Sequence, residues 1–137
     1  MQCGDTSAVG DGTGGKSIYS EGDPIHSKDG LFEDENVWFP HSHKGTISTH
    51  PNEKIKNSNG SQFMINFRDD NQYFDEKNTV FGRIIAGYDT IVHFQSIPRN
   101  EEKPIKPVLI TNCGELRFDE KLKEDEAVDL RLYEVSE

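Results

Sequence analysis

The sequence predicts a mainly β protein with one short helix near its C-terminal third. Two short runs, residues 44–49 and 62–67, are rich in residues that favour strands. The turn signal Asn59-Gly60 stands between them, because both residues tolerate a positive φ. A third run, residues 105–113, is expected to be the last strand, with Pro107 near its start, where a strand accepts proline.

The helix is predicted at residues 87–95. Ile91, Val92 and Phe94 have the spacing of an amphipathic helix and are expected to point inward. Asp89 is a candidate N-cap, because its carboxylate can accept a hydrogen bond from a backbone N–H of the first turn.

Residues 62–67 form the central strand of this prediction, and their side chains alternate between two faces. One face is apolar and is predicted to line a core: Phe63, Ile65 and Phe67. The other face carries a thioether between two amides: Gln62, Met64 and Asn66. Such a surface suits a peptide that is held by backbone contacts and one small apolar side chain.

The length of 137 residues favours one domain, and the composition narrows its partners. A net charge of −10 argues against nucleic acids and anionic membranes, which need a basic surface. Cys3 and Cys113 do not make a disulfide framework, so we expect reduced thiols in the cytoplasm. We expect neither a signal peptide nor a membrane span, because no long apolar run is present.

Residues 10–17 formally match the nucleotide-binding pattern G-x-x-x-x-G-K-S. A phosphate-binding loop needs a buried strand before it and a helix after it. Residues 1–9 and 18–24 favour neither element. We therefore interpret residues 10–17 as a surface loop that uses glycine for tight turns, and we predict no nucleotide cofactor.

Three histidines, His41, His43 and His50, could suggest a metal site, but no cysteine or carboxylate accompanies them at a fixed spacing. We interpret them as loop histidines and predict no metal. The glycosylation pattern that begins at Asn59 is interpreted as part of a turn.

Five blocks resemble, in order and spacing, the cyclophilins, which are peptidyl-prolyl cis-trans isomerases. The blocks are residues 12–19, 32–36, 59–65, 80–84 and 110–116. The resemblance implies a partial cyclophilin-like antiparallel β-barrel over residues 1–116, which lacks the family's N-terminal strands. Residues 117–137 then form an acidic C-terminal extension.

The resemblance also implies a set of substrate-binding residues. They are Gln2, Gly12, Gln62, Met64, Tyr73, Phe74 and Asn78. Four of them depart from the family: Met64 stands for Phe, Tyr73 for Trp, Phe74 for Leu and Asn78 for His. His50 or Pro51 falls near an Ala-Asn pair that contacts the peptide in the family, and Pro51 has no N–H to donate.

No residue of the chain matches the family's catalytic arginine. Arg68, Arg83 and Arg99 belong to other blocks, and we assign no residue a catalytic role. The family's arginine donates to the twisted amide, whose nitrogen becomes a better acceptor in the transition state.

Two functions remain open at this stage. The first is a weakly active or inactive domain that binds a proline-containing peptide or protein, as a subunit of a larger assembly such as a spliceosome or ciliary axoneme. The second is an active isomerase whose N-terminal segment, with the arginine, precedes this chain. An upstream segment that ends in Phe-His-Arg would favour the enzyme.

Residues 117–137 hold eight acidic and four basic residues. Leu122, Val128, Leu132 and Val135 could form an imperfect apolar stripe on a helix. A solvated tail and a docking segment both fit this pattern.

Overall fold

The computed structural model describes residues 1–7, 10–20, 30–51 and 55–115. The chain divides into two compact units, Met1–Ile84 and Ile85–Glu137. The predicted acidic extension, residues 117–137, lies outside the described residues, and its boundary at residue 116 stays a prediction.

The first unit contains a four-stranded antiparallel sheet. Its strands are β1 (Gln2–Cys3), β2 (Thr46–Thr49), β3 (Phe63–Ile65) and β4 (Val80–Arg83). They lie in the order β1-β3-β2-β4. The predicted mainly antiparallel β fold is confirmed, and the predicted runs 44–49 and 62–67 each contain a strand.

The register of the sheet sets which side chains are neighbours. Met64 lies opposite Gln2 on β1 and opposite Ser48 on β2. Between β2 and β4 the register shifts at Ile47 and Ser48, which marks a bulge. Within the described residues β1 and β4 remain the outer strands, so the barrel is not closed and the predicted partial barrel is confirmed.

The turn before β3 differs from the prediction. Asn57 has the positive φ, 58°, whereas Asn59 forms a bridge with Phe32. Asn59 is buried, and its side-chain amide donates to the Glu33 carbonyl and to Asp34 Oδ1, at 3.2 and 2.8 Å. The expectation of a turn centred on Asn59-Gly60 is wrong, because the side chain of Asn59 is used to join two segments.

The two faces of β3 are also buried differently from the prediction. Met64, on the polar face, is only 6% exposed, whereas Phe63 and Ile65 are half-buried. Asn66 is 2% exposed. The expected apolar core on the phenylalanine face is therefore incomplete in the described residues, because no described strand or helix fully covers it.

Polar side chains make up most of the buried positions that the structure describes. The buried apolar residues there are Met64 and Ile91. The buried polar residues there are Ser17, His41, Thr46, Ser48, Thr49, Ser58, Asn59, Asn66, Asn78 and Thr79. All of these polar residues lie in the first unit, whereas Ile91 lies in the second. Since buried polar groups need partners, hydrogen bonds rather than apolar packing dominate the described interior of the first unit.

In the second unit, helix α1 (Tyr88–Ser96) confirms the predicted helix. Ile91 is buried as expected, but Val92 is 59% exposed. Gly87 occupies the N-cap position with φ 76°, and no side chain caps the helix. Asp89 lies in the first turn instead, so its predicted role as the cap is wrong.

After the helix, β5 (Arg99–Asn100) and β6 (Lys103–Pro104) form a two-stranded hairpin. The predicted last strand, residues 105–113, does not form, and these residues are exposed. A strand needs a partner along its backbone groups. Among the described residues the Ile105 N–H donates to the Pro98 carbonyl at 3.0 Å, but the run forms no continuous ladder with another segment.

Across the described ranges, no helix combines the length and the apolar character that a membrane crossing requires.

Candidate functional site

A cleft of about 370 Å³ lies between the glycine loop, residues 10–17, and the segment that leads into β3. The glycine loop supplies mainly backbone to its wall. The side chains that line the cleft include Gln2, Leu31, His50, Pro51, Ile55 and Gln62. Apolar and amide groups thus face one another across a space large enough for one or two amino-acid residues.

Gln62 is fixed in the wall of this cleft by three hydrogen bonds. Its Nε2 donates to the carbonyls of Gly12 and Gly14, at 2.8 and 2.6 Å. Its Oε1 accepts from Gln2 Nε2 at 2.5 Å. Both N–H bonds of the amide are therefore used within the protein, and a ligand could use at most the second lone pair of Oε1.

The glycine loop is organised around Asp5. The backbone N–H groups of Ser7, Gly12 and Gly14 donate to its carboxylate, at 2.8, 2.7 and 3.1 Å. These bonds, with that from Ser7 the largest, hold the pKa of Asp5 below its ordinary value. A Cβ on Gly14 would lie 2.5 Å from Asp5 Oδ1, so this close approach requires glycine.

The same contacts bear on the nucleotide-like pattern of residues 10–17. Two N–H groups of the loop, those of Gly12 and Gly14, already donate to Asp5 and are not available to a phosphate. The loop follows the two-residue strand β1 and precedes a short 3₁₀ turn, Ile18–Ser20. This arrangement favours the interpretation as a surface loop.

An aromatic pair lies on the 3₁₀ turn Gln72–Phe74. The rings of Tyr73 and Phe74 meet edge to face with centroids 4.9 Å apart. Lys77 Nζ lies 3.7 Å from the centroid of the Tyr73 ring, which is a cation–π contact. Tyr73 is 60% exposed, so this pair presents an aromatic surface to solvent.

Asn78 connects the end of this segment to β2. Its buried side-chain amide donates to the Thr49 carbonyl at 2.6 Å. The Thr79 N–H donates to Thr49 Oγ1, and the Thr49 N–H donates to the Thr79 carbonyl. Because Asn78 is committed to the backbone beside His50, it supports the cleft from behind rather than lining it.

The structure divides the seven predicted substrate-binding residues into two groups. Gln2, Gly12 and Gln62 line the cleft. Met64 lies on the sheet opposite Gln2, and Tyr73, Phe74 and Asn78 belong to the segment after β3. Their role in binding stays a prediction.

Sequence reasoning missed two features of this site. Leu31 and Ile55 line the cleft although both lie outside the family motif blocks. His41 is completely buried, and its Nδ1 lies 2.8 Å from Asp75 Oδ1. No local pattern links His41 to Asp75, which stands 34 positions later.

The described arginines of the first unit, Arg68 and Arg83, do not line the cleft. Both are exposed, and Arg83 ends β4 opposite Thr46. Arg99 is exposed in the second unit.

The histidines are used separately in the part of the chain that the structure describes. His41 contacts Asp75, whereas the His50 N–H donates to the Gln62 carbonyl at 3.1 Å. His43 is exposed. No group of three potential metal ligands occurs among the described residues.

Comparison with known families gives one match that spans most of the chain. The family model described as "Cyclophilin type peptidyl-prolyl cis-trans isomerase/CLD" matches residues 1–115.

Several curated proteins are similar to this chain. Peptidyl-prolyl cis-trans isomerase B of Saccharomyces cerevisiae is 36% identical over 107 residues, which is 77% of this chain and 47% of that protein. The protein named "Probable inactive peptidyl-prolyl cis-trans isomerase-like 6" of Bos taurus is 38% identical over 116 residues, 85% of this chain and 34% of that protein. Its Homo sapiens counterpart is 36% identical over 103 residues, 74% and 32% of the two chains. The chain thus spans less than half the length of these relatives.

Solved structures give the same fold. A Cryptosporidium parvum cyclophilin type peptidyl-prolyl cis-trans isomerase, crystallised in the presence of the dipeptide Ala-Pro, aligns with a TM-score of 0.60 and 29% identity. The alignment covers 76% of this chain and 60% of that one. A second structure of the same protein aligns with a TM-score of 0.62 and 30% identity, over 77% and 59% of the two chains.

Proposed function

Because the chain belongs to the cyclophilin-type peptidyl-prolyl cis-trans isomerase family, we propose that it binds proline-containing peptides with weak or no isomerase activity. One observation carries this proposal. The cleft beside Gln62 is formed and braced by the glycine loop, but no described arginine lines it.

The cleft supports the binding half of the proposal. Leu31, Pro51 and Ile55 provide apolar wall, and Gln62 is held rigid by the loop carbonyls. A wall that is fixed before binding loses little conformational entropy when a ligand enters. The relative from Cryptosporidium parvum was crystallised in the presence of Ala-Pro, which makes this dipeptide the natural first probe.

The positions of the arginines support the proposal of weak or no isomerase activity. Amide resonance sets a rotation barrier of about 18–20 kcal/mol, so catalysis requires groups that stabilise the twisted amide. Loss of one transition-state donor typically costs about 2.7–4 kcal/mol, or about 10²–10³ in rate. Arg68 and Arg83, the described arginines of the first unit, are exposed and do not line the cleft, so neither is placed to be that donor.

Substitutions in the site point the same way. Met64 replaces a phenylalanine of the family pattern and is softer than an aromatic ring. Pro51 lines the cleft without an N–H to offer to a peptide backbone. The proline thus removes a possible backbone contact with the peptide, whereas the methionine keeps an apolar side chain and changes its shape and flexibility.

We also propose that the domain works in the cytoplasm as an interaction subunit of a larger assembly. Trp38 and Phe39 are 81% and 64% exposed, and Phe81 on the outer strand β4 is 61% exposed. Exposed aromatic side chains and an outer strand are features that protein partners use. The net charge of −10 makes a basic protein a more suitable partner than a nucleic acid.

The binding half is tested by titrating the ¹⁵N-labelled chain with Ala-Pro and recording amide chemical shifts. We expect shifts in residues around the cleft, and a loss of affinity of about tenfold in Gln62→Ala, because the braced wall is removed. Gln95→Ala, an exposed amide on α1, is the matched control and should bind normally. No shift with millimolar dipeptide, or equal binding by Gln62→Ala, would refute the proposal.

An active isomerase is the alternative, which the similarity to Peptidyl-prolyl cis-trans isomerase B of Saccharomyces cerevisiae favours. A protease-coupled assay of the chain beside that complete cyclophilin separates the two functions. We expect the chain to be slower by at least about 10². Equal rates would establish the enzyme and place the catalytic donor within this chain.

A further inference from the structure

His41 and Asp75 form a clasp, a pair of hydrogen bonds between two segments distant in sequence. His41 is 0% exposed. Its backbone N–H donates to Asp75 Oδ1 at 2.7 Å, and its ring Nδ1 lies 2.8 Å from the same oxygen. Because an ionised carboxylate only accepts, Nδ1 carries the hydrogen in this contact.

The clasp acts next to a predicted substrate-binding residue. Asp75 directly follows Phe74, and the His41 ring lies 5.9 Å from the Phe74 ring, centroid to centroid, tilted by 53°. The bonds to Asp75 therefore hold the backbone beside Phe74, and the imidazole limits the positions of the phenyl ring. Tyr73 meets the other side of this arrangement through its edge-to-face contact with Phe74.

His41 is itself anchored to the end of the sheet. Its carbonyl accepts the Asn71 N–H at 3.1 Å and Asn66 Nδ2 at 3.3 Å. Asn71 Nδ2 donates to Asn66 Oδ1 at 2.9 Å. A continuous set of hydrogen bonds thus runs from the residue after β3 to the aromatic segment, and rigid networks of this kind hold side chains in one geometry.

We infer that His41 and Asp75 are positioning residues, which hold Phe74 and Tyr73, two of the predicted substrate-binding residues, in the orientation that peptide binding requires. This inference rests on the proposed binding function, and neither residue contacts the ligand directly. The ordinary structural role of a buried histidine would stabilise the fold without changing how Phe74 presents its ring. The two roles are separable, because the affinity for the peptide and the contact between the two rings report on positioning, whereas urea unfolding reports on the stability of the fold.

The test compares Asp75→Ala, Asp75→Asn and Asp69→Ala. Asp69 is the matched control, because its carboxylate accepts the Lys44 N–H at 3.1 Å in the same loop region but is not joined to Phe74. For each variant the affinity for Ala-Pro is measured by amide chemical shifts. The contact between the His41 and Phe74 rings is measured by nuclear Overhauser effects, and stability is measured by urea unfolding.

We expect Asp75→Ala to bind Ala-Pro at least fivefold more weakly and to lose the ring contact. Asp75→Asn should keep its affinity for Ala-Pro within twofold and should keep the ring contact. Asp69→Ala should bind Ala-Pro normally, even if its free energy of unfolding falls as much as that of Asp75→Ala. If the unaltered chain binds but Asp75→Ala binds equally well with the ring contact intact, the inference is wrong. If the unaltered chain does not bind Ala-Pro at all, the proposed function fails instead.

Asp75→Ala could fail to fold, and Asp75→Glu then replaces it. The longer side chain keeps the charge but moves the carboxylate by one methylene, so we expect a folded protein with a displaced Phe74 and at least threefold weaker binding. Binding equal to that of the unaltered chain would overturn the inference.

Discussion

The two faces of strand β3 are held in different ways. On one face, Asn66 is 2% exposed and its amide donates to the carbonyls of His41, His43 and Arg68, at 3.3, 3.1 and 2.6 Å. On the other face, Phe63 is only half-buried. The face that carries the amides is the more buried one, although its side chains are the less hydrophobic.

The two faces differ in the kind of contact that fixes their side chains. Apolar packing is tolerant of small displacements, whereas hydrogen bonds fix distances and angles. Gln62, Asn66 and Asn78 supply such fixed contacts, because the side-chain amide of each donates to a backbone carbonyl. The phenylalanine face adds less order in the residues described.

The largest effect is expected for Asn66→Ala. It would remove the side-chain donor to the His41, His43 and Arg68 carbonyls and the acceptor of Asn71 Nδ2. Because an unsatisfied buried polar group costs about 1–3 kcal/mol, we expect a loss of about 2–4 kcal/mol in the free energy of unfolding. Urea unfolding measures this loss, with the exposed Asn100→Ala as a control that should change stability by less than about 0.5 kcal/mol. A loss below about 0.5 kcal/mol in Asn66→Ala would contradict the importance of the polar face.

A smaller effect is expected for Phe63→Ala on the opposite face. A fully buried phenylalanine costs about 3–5 kcal/mol when truncated to alanine. Because Phe63 is half-buried, we expect a loss below about 1.5 kcal/mol by the same urea measurement. A loss above about 3 kcal/mol would mean that this face is a true core, and the comparison of the two faces would fail.

Acid is expected to weaken the contact between His41 and Asp75. The backbone N–H of His41, followed by its ring, holds the pKa of Asp75 below its ordinary value. A lowered folded-state pKa adds stability above the unfolded pKa of about 3.9, and this stability is lost as the pH falls through the folded value. We therefore expect Asp75→Asn to show a shallower loss of unfolding free energy than the unaltered chain between about pH 5 and pH 2. Equal slopes would show that the clasp does not depend on the carboxylate charge.

The smallest effect is expected for Lys77→Ala. The ammonium lies 3.7 Å from the Tyr73 ring centroid, but Tyr73 is 60% exposed. Exposed cation–π contacts contribute about 0.5–1 kcal/mol, so we expect a loss of that size in urea unfolding. A loss above about 2 kcal/mol would contradict the interpretation of the contact between Lys77 and Tyr73 as a weak, exposed one.

The sequence predicted the local elements better than their surroundings. Strands β2 and β3 and helix α1 were predicted correctly, because their patterns depend on neighbouring residues. Residues 105–113 were wrongly predicted as a strand, since a strand also needs a partner that local patterns do not specify. The motif blocks predicted the family, and the match of the family model to residues 1–115 confirmed it.

The site was predicted only in part for the same physical reason. Gln62 and Gly12 stand in recognisable motifs, and the structure brings them together at the cleft. The clasp between His41 and Asp75 depends on a contact across 34 positions, and neither residue stands in a pattern that names the other. The burial of Asn59 was missed likewise, because its partners, Glu33 and Asp34, lie in a distant segment.

We propose that this cyclophilin-like chain binds a proline peptide without efficient isomerisation. Two-dimensional exchange NMR of a proline peptide tests both parts in one sample, since binding broadens the peptide signals and catalysis produces exchange peaks between the cis and trans forms. We predict broadening that is reduced in Gln62→Ala, and an exchange rate at least about 10² lower than that given by a complete cyclophilin. Exchange at the rate of the complete enzyme, or no broadening at any protein concentration, would contradict the account.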